Sequence, residues 1–157
     1  MEMQFAYGSN MDPNRLSEKK GIQRILENAK VAKLVDWEFG FTKKSDDGTG
    51  KANITRKPGS IVWGLLLQLD SDAVKEMDRS EGTKAKIPHY NKETVHVITD
   101  DGIEHECKTY VAHFHSKRFN EDGIPPSKKY LKHIVDGATI HNLPNEYIDQ
   151  IRNSSNV

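Results

Sequence analysis

The chain has 157 residues, which fits one domain and leaves little room for a second. A hydrophobic content of 35% beside 29% charged residues describes an ordinary soluble domain, able to bury a core without disulfide or metal staples. Lysine plus arginine and aspartate plus glutamate both total 23, so no basic excess draws the chain to nucleic acid or an acidic membrane. The single cysteine, Cys107, excludes an intramolecular disulfide framework and any multi-cysteine metal site. The start, Met1-Glu2-Met3-Gln4-Phe5, lacks a basic segment followed by an apolar run, so no signal peptide is expected. The longest apolar stretch, residues 61–69, is too short to span a bilayer and is interrupted by Gly64 and Gln68. The expected setting is cytoplasmic, where the sequons at Asn53 and Asn153 have no use.

In chain order, residues 4–7 read as a strand that runs into a turn at Gly8-Ser9-Asn10. Asp12-Pro13 has the form of a helix N-cap with proline at the first helical position. Val35, Trp37, Phe39 and Phe41 alternate with Asp36, Glu38, Gly40 and Thr42, the period of a half-buried strand. Residues 46–50 form a loop, and the nearly continuous apolar run 61–67 predicts a central strand. Asp70 and Ser71 can cap a helix whose Ala73, Val74 and Met77 share a face, and Gly82 falls where that helix should stop. Residues 94–99 and 104–114 alternate on either side of Asp100-Asp101-Gly102, a hairpin signal. Ser127 caps a helix carrying Tyr130, Leu131, Ile134 and Val135. A last helix begins near Leu143-Pro144 with Tyr147, Ile148 and Ile151, followed by a frayed tail at 153–157. Strands that mostly do not alternate with helices argue for an α+β class with a closed or nearly closed sheet, in one domain over residues 1–152.

Two constellations carry chemistry. A strand ending in Gly8-Ser9-Asn10 just before a helix directs several backbone N–H groups one way, a nest suited to a carboxylate or an oxyanion. The same residues also make an ordinary tight turn with Asn10 in the left-handed region, which on spacing alone is the commoner outcome. The second is Glu81, at the C-terminal end of the helix that Gly82 stops. There the macrodipole disfavours a carboxylate's charge, which suits a group that must accept and later return a proton. Taken singly, a glutamate beside a capping glycine is most often only a solvated side chain.

The motifs together alter both readings. Phe5-Ala6-Tyr7-Gly8-Ser9-Asn10-Met11 resembles the opening signature of the γ-glutamylcyclotransferase (AIG2-like) family. Val62-Trp63-Gly64, a short helix ending in Glu81-Gly82, and Tyr90 continue that family's order. Pro125-Pro126-Ser127, Tyr130-Leu131, Gly137-Ala138, Leu143-Pro144 and Glu146-Tyr147 resemble its C-terminal section. The resemblance covers nearly the whole chain, with gaps around residues 17–34 and 43–58. It implies a small mixed β-barrel with flanking helices and a cavity at one end. It further implies Glu81 as the catalytic acid/base, and Tyr7, Gly8, Ser9, Asn10, Tyr90 and Tyr110 as substrate-binding residues.

The implied reaction closes a γ-glutamyl group into 5-oxoproline and frees the attached amine, with no metal or cofactor required. Gly8-Ser9-Asn10, where other branches of the family show Gly-Ser-Leu or Gly-Thr-Leu, favours γ-glutamyl amino acids as substrates. The expected partner is that small molecule alone, for a monomer or homodimer, with neither nucleic acid nor membrane. The alternatives are a module that binds a γ-glutamyl or other carboxylate ligand without turnover, and a cyclotransferase that removes the γ-glutamyl group from a different amine.

Three weaker signals stand apart. Gly48-Thr49-Gly50-Lys51 lacks the spacing and the hydroxyl residue of a phosphate loop. His105, His113 and His115 share one side of the strand expected to run to residue 114, but a metal would need further ligands. Cys107 reads as a buried or idle thiol.

Overall fold

The computed structural model describes residues 1–16 and 23–157. Five strands, β1 (Glu2–Ala6), β2 (Lys30–Lys44), β3 (Gly50–Leu69), β4 (Asn91–Thr99) and β5 (Glu104–Val111), close into a barrel in the order β1-β3-β2-β4-β5. Neighbours are antiparallel except across the closing seam, where β1 lies parallel to β5 with Gln4 opposite Lys108. The helices are α1 (Pro13–Leu16), α2 (Ser71–Ser80), α3 (Lys128–Ile140) and α4 (Asn145–Ser154). The α+β barrel with flanking helices expected from the sequence is thus the fold observed.

Local chemistry sets most of the helix ends. Asp70 accepts the Ala73 N–H at 2.8 Å and starts α2; Ser127 accepts the Tyr130 N–H at 3.1 Å and starts α3. Asp12 accepts the Asn14 N–H at 3.0 Å and starts α1 at Pro13. At the far end of α2, the Gly82 N–H donates to the Arg79 carbonyl and the Thr83 N–H to the Asp78 carbonyl, the paired bonds of a Schellman stop. Gly82 takes φ +61° there, the left-handed value glycine adopts most cheaply. The expected C-terminal tail enters α4, which continues to Ser154, and the Val157 side chain lies close to Gly123.

Three strand expectations need correction. Val35 does not share a face with Trp37: it is 42% exposed, whereas Trp37 is buried. Asp36 sits at φ +68° and the register with β3 shifts between Val35 and Trp37, so a bulge swaps the inward face. Before the bulge Ala32 and Leu34 point inward; after it Trp37, Phe39, Phe41 and Lys43 do. The loop at 46–50 is only a hairpin turn, because β3 already begins at Gly50. Finally, β5 stops at Val111 rather than at residue 114, leaving Phe114 81% exposed. His113 and His115 stack on each other beyond the strand, while His105 bonds Thr99, so the three histidines do not share a strand face.

The helix that matters most for the first turn is α3. A Cβ at Gly137 would stand 2.6 Å from the Met11 carbonyl carbon and 2.8 Å from the Asp12 nitrogen, far inside contact distance. His133 Nδ1, one turn earlier in α3, meets the Asp12 carboxylate at 2.6 Å. Close packing and this hydrogen bond together hold the end of the first turn against α3. In an unconstrained helix Gly→Ala would stabilise by up to about 1 kcal/mol. Gly137→Ala is expected to do the reverse here, destabilising by about 1–3 kcal/mol through overpacking. Urea denaturation of the two proteins reads the sign directly.

Candidate active site

At one end of the barrel β1, β2 and β5 finish while β3 and β4 begin, and there a cavity of about 250 Å³ opens. That is just below the ~300–1,000 Å³ typical of sites for drug-sized ligands, so it suits a small metabolite. All seven residues singled out in the sequence line it: Tyr7, Gly8, Ser9, Asn10, Glu81, Tyr90 and Tyr110. They come from four separate segments of the chain, joined by the barrel.

The first turn is a 3-10 turn, Ser9–Met11, rather than a left-handed one, since among the described residues only Asp36 and Asn142 are non-glycines with positive φ. The turn brings the Asn10 side chain over the end of α2, where its Nδ2 donates to Glu81 Oε1 at 2.8 Å. Glu81 is the helix cap residue, its own N–H bonded to the Met77 carbonyl at 2.9 Å. Among the described residues that line the cavity it is the single carboxylate, facing Arg15, Lys43 and Lys51.

The tyrosines are held by their hydroxyls. Tyr7 donates to the Tyr110 carbonyl, Tyr90 to the Ala52 carbonyl at 2.7 Å, and Tyr110 to Asp78 at 2.6 Å. Tyr130 accepts the Ala52 N–H at 3.0 Å and meets the Ser9 side chain. Their rings therefore shape an aromatic wall whose positions are set by backbone and by Asp78. Asp78 is itself fixed by Lys92, which also reaches Glu2.

Sequence reasoning overlooked Lys43, His89 and Tyr130 as cavity residues. Lys43 Nζ lies 2.5 Å from His89 Nδ1 and 5.2 Å from the Tyr90 ring centre. The signal for it was present, because Lys43 extends the inward series Trp37, Phe39, Phe41 by one step of two. His89 packs across Gly82: a Cβ there would fall 2.7 Å from His89 Cδ2. Burial lowers the His89 ring below the usual histidine range, and the Lys43 and Arg118 charges add to that. Among the described residues no group of three acidic, histidine or cysteine side chains is arranged to hold a metal, and Cys107 is buried, its thiol pushed up to about 12 mainly by burial. No helix among the described residues is long and apolar enough to cross a membrane.

A closed five-stranded barrel whose aromatic end cavity holds a single carboxylate among the described lining residues frames a small-molecule site, and similarity to known proteins gives its class. The sequence pattern of the AIG2-like family matches residues 61–151. The Homo sapiens gamma-glutamylcyclotransferase is 31% identical over 153 residues, covering 94% of this chain and 76% of that relative. The Bos taurus gamma-glutamylcyclotransferase is 32% identical over 149 residues, covering 91% and 73%. A solved gamma-glutamyl cyclotransferase structure superposes with a TM-score of 0.79 at 28% identity, over 96% of this chain and 86% of that one. The chain belongs to the AIG2-like family, among the γ-glutamylcyclotransferases.

The wall makes a spectroscopic prediction. Burial, first, and then nearby negative groups in several cases raise Tyr7, Tyr90, Tyr110, Tyr130 and Tyr147, all five tyrosines of the chain, above the ordinary phenol value. The native state then keeps protons that the unfolded chain releases near pH ~10. Stability from this source is complete below that pH and falls as pH rises beyond it. Absorbance at 295 nm should stay flat through pH ~10 and rise only together with loss of the far-UV circular dichroism signal.

Proposed function

We propose that this chain converts γ-glutamyl amino acids to 5-oxoproline and the free amino acid, with Glu81 carrying the proton. The observation that bears most weight is the position of Glu81: the one carboxylate among the described lining residues, hydrogen-bonded by Asn10 from the first turn. The other candidate base, His89, has both ring nitrogens engaged, Nδ1 with Lys43 and Nε2 with Asp46. Glu81 therefore takes the role.

The substrate brings its own nucleophile. Glu81 removes a proton from the α-ammonium, and the amine nitrogen attacks the γ-carbonyl carbon to close a five-membered ring. Protonated Glu81 gives its proton to the departing nitrogen, the oxyanion collapses and the bond to that nitrogen breaks. The surplus proton of the ring nitrogen passes by the same carboxylate to the freed amine, leaving neutral 5-oxoproline and an ammonium. No water is consumed. Because amine and carbonyl sit on one molecule, their translational cost is already met, and the cavity has only to hold the near-attack geometry. The aromatic wall of Tyr7, Tyr90 and Tyr110 favours that compact geometry, with the turn Gly8-Ser9-Asn10 holding the glutamyl end. The Asn10 amide keeps the Glu81 carboxylate turned toward the cavity.

A buried free thiol at Cys107 supports a reducing, cytoplasmic setting for this reaction.

Glu81→Gln keeps the side-chain shape and can still accept the Asn10 hydrogen bond, but removes the proton acceptor. Loss of acid/base catalysis is expected to lower kcat for 5-oxoproline release by about 10²–10⁴ with the melting temperature retained. Undiminished turnover in the variant would remove Glu81 from the mechanism. Binding of a γ-glutamyl amino acid with no release by the wild type would favour a non-catalytic binding module.

A further inference from the structure

The cavity wall holds a cation that ring closure does not use. Lys43 points inward from β2, and the residue as a whole is only 3% exposed. Among the described residues no carboxylate is ion-paired with its ammonium; its hydrogen-bond partner is the His89 ring at 2.5 Å. Because Nδ1 accepts from the ammonium, the ring proton belongs on Nε2. That nitrogen lies 3.3 Å from the Asp46 carboxylate, which Arg118 holds at 2.8 Å. Asp46 is 76% exposed, so the series from Lys43 through His89 to Asp46 runs from the buried wall to the mouth.

A buried ammonium without a counter-ion is costly unless a ligand supplies the anion. A γ-glutamyl amino acid carries two carboxylates, one on the glutamyl half and one on the departing half. With its α-amine at Glu81 and its glutamyl end at the first turn, the departing half extends toward the mouth. Lys43 lines the same cavity as Glu81 and, through His89, meets the exposed Asp46, which places it along that path.

We propose that Lys43, oriented by His89, pairs with the carboxylate of the departing amino acid and so selects γ-glutamyl amino acids over γ-glutamylamines. The inference rests on the cyclisation proposed above and adds the residue that reads the leaving group. It also sets a pH dependence. Burial, then Arg118 and Lys51, lower the Lys43 ammonium to about 8 against the opposing pull of Glu81 and Asp46, with the neutral His89 ring beside it. As pH rises through that value the charge is lost, so KM for a carboxylate-bearing substrate should climb while KM for an uncharged leaving group does not.

The test compares γ-glutamylalanine with γ-glutamylethylamide, the same skeleton without the second carboxylate, in wild type, Lys43→Met and Lys43→Arg. Wild type should favour the alanine compound. Lys43→Met should cut its kcat/KM by about 10- to 100-fold, mostly through KM, the value of a hydrogen bond to a charged group. The ethylamide should lose much less, and Lys43→Arg should recover part of the preference. The methionine variant is expected to melt no lower than wild type, since an unpaired buried charge has gone; should it not fold, Lys43→Gln serves the same comparison. Equal losses on both substrates, or a wild type that turns over both without preference, would overturn the inference and leave cyclisation standing. Release from neither substrate by wild type would remove the cyclisation and this inference with it.

Discussion

The barrel closes across a seam that has little backbone pairing of its own, and the site hangs on how side chains complete it. Between β1 and β5 a single residue pair stands in parallel register, Gln4 opposite Lys108. Three side chains supply the rest: Thr109 donates to the Phe5 carbonyl at 2.8 Å, Tyr7 to the Tyr110 carbonyl, and Gln4 to the Tyr110 hydroxyl at 3.1 Å. All three bonds are buried, so each unmade partner would cost about 1–3 kcal/mol. The Tyr110 hydroxyl then passes the constraint onward to Asp78 in α2. Asp78 lies one turn before Glu81, and the Schellman stop at Gly82 fixes where that turn ends. Closure of the seam and placement of Glu81 are therefore one structural problem.

The second half of the site is placed from the opposite side. β1 delivers Tyr7 and the turn that follows it, but α3 determines how far that turn folds over the cavity. Gly137 admits the Met11 backbone at contact distance, His133 holds Asp12, and Tyr130 reaches the Ser9 side chain and the Ala52 N–H. Asn10 consequently arrives over Glu81. The short polar bond between these two residues joins the turn held by α3 to the helix end held by the seam.

Where the determinants were local, the sequence revealed them. Asp70 and Ser127 as caps, Gly82 as a stop and the Asp100-Asp101-Gly102 hairpin act within a few residues of themselves, and all appear as expected. The seven residues assigned to the site were legible only through a family likeness, since a glutamate before a glycine is unremarkable until a barrel brings Asn10 across 71 positions to meet it. The bulge at Asp36 was hidden because alternation reads the same on either side of an inserted residue, and nothing but pairing with β3 reveals the swap. Charged Arg56 and Lys57, followed by Pro58 and Gly59, concealed that β3 runs continuously from Gly50. Lys43 escaped for a different reason: lysine is almost never buried, so an inward lysine looks like the end of a strand's core face.

Catalysis by Glu81 requires that the α-amine of a γ-glutamyl substrate be delivered to its carboxylate. A crystal structure of Glu81→Gln with bound γ-glutamylalanine tests it most directly. The α-amine should lie within ~2.6–3.2 Å of the residue 81 side chain. The same nitrogen should stand ~3–3.5 Å from the γ-carbonyl carbon. A substrate bound in the cavity with its α-amine directed away from residue 81, toward the barrel mouth or the Tyr90 wall, would contradict it.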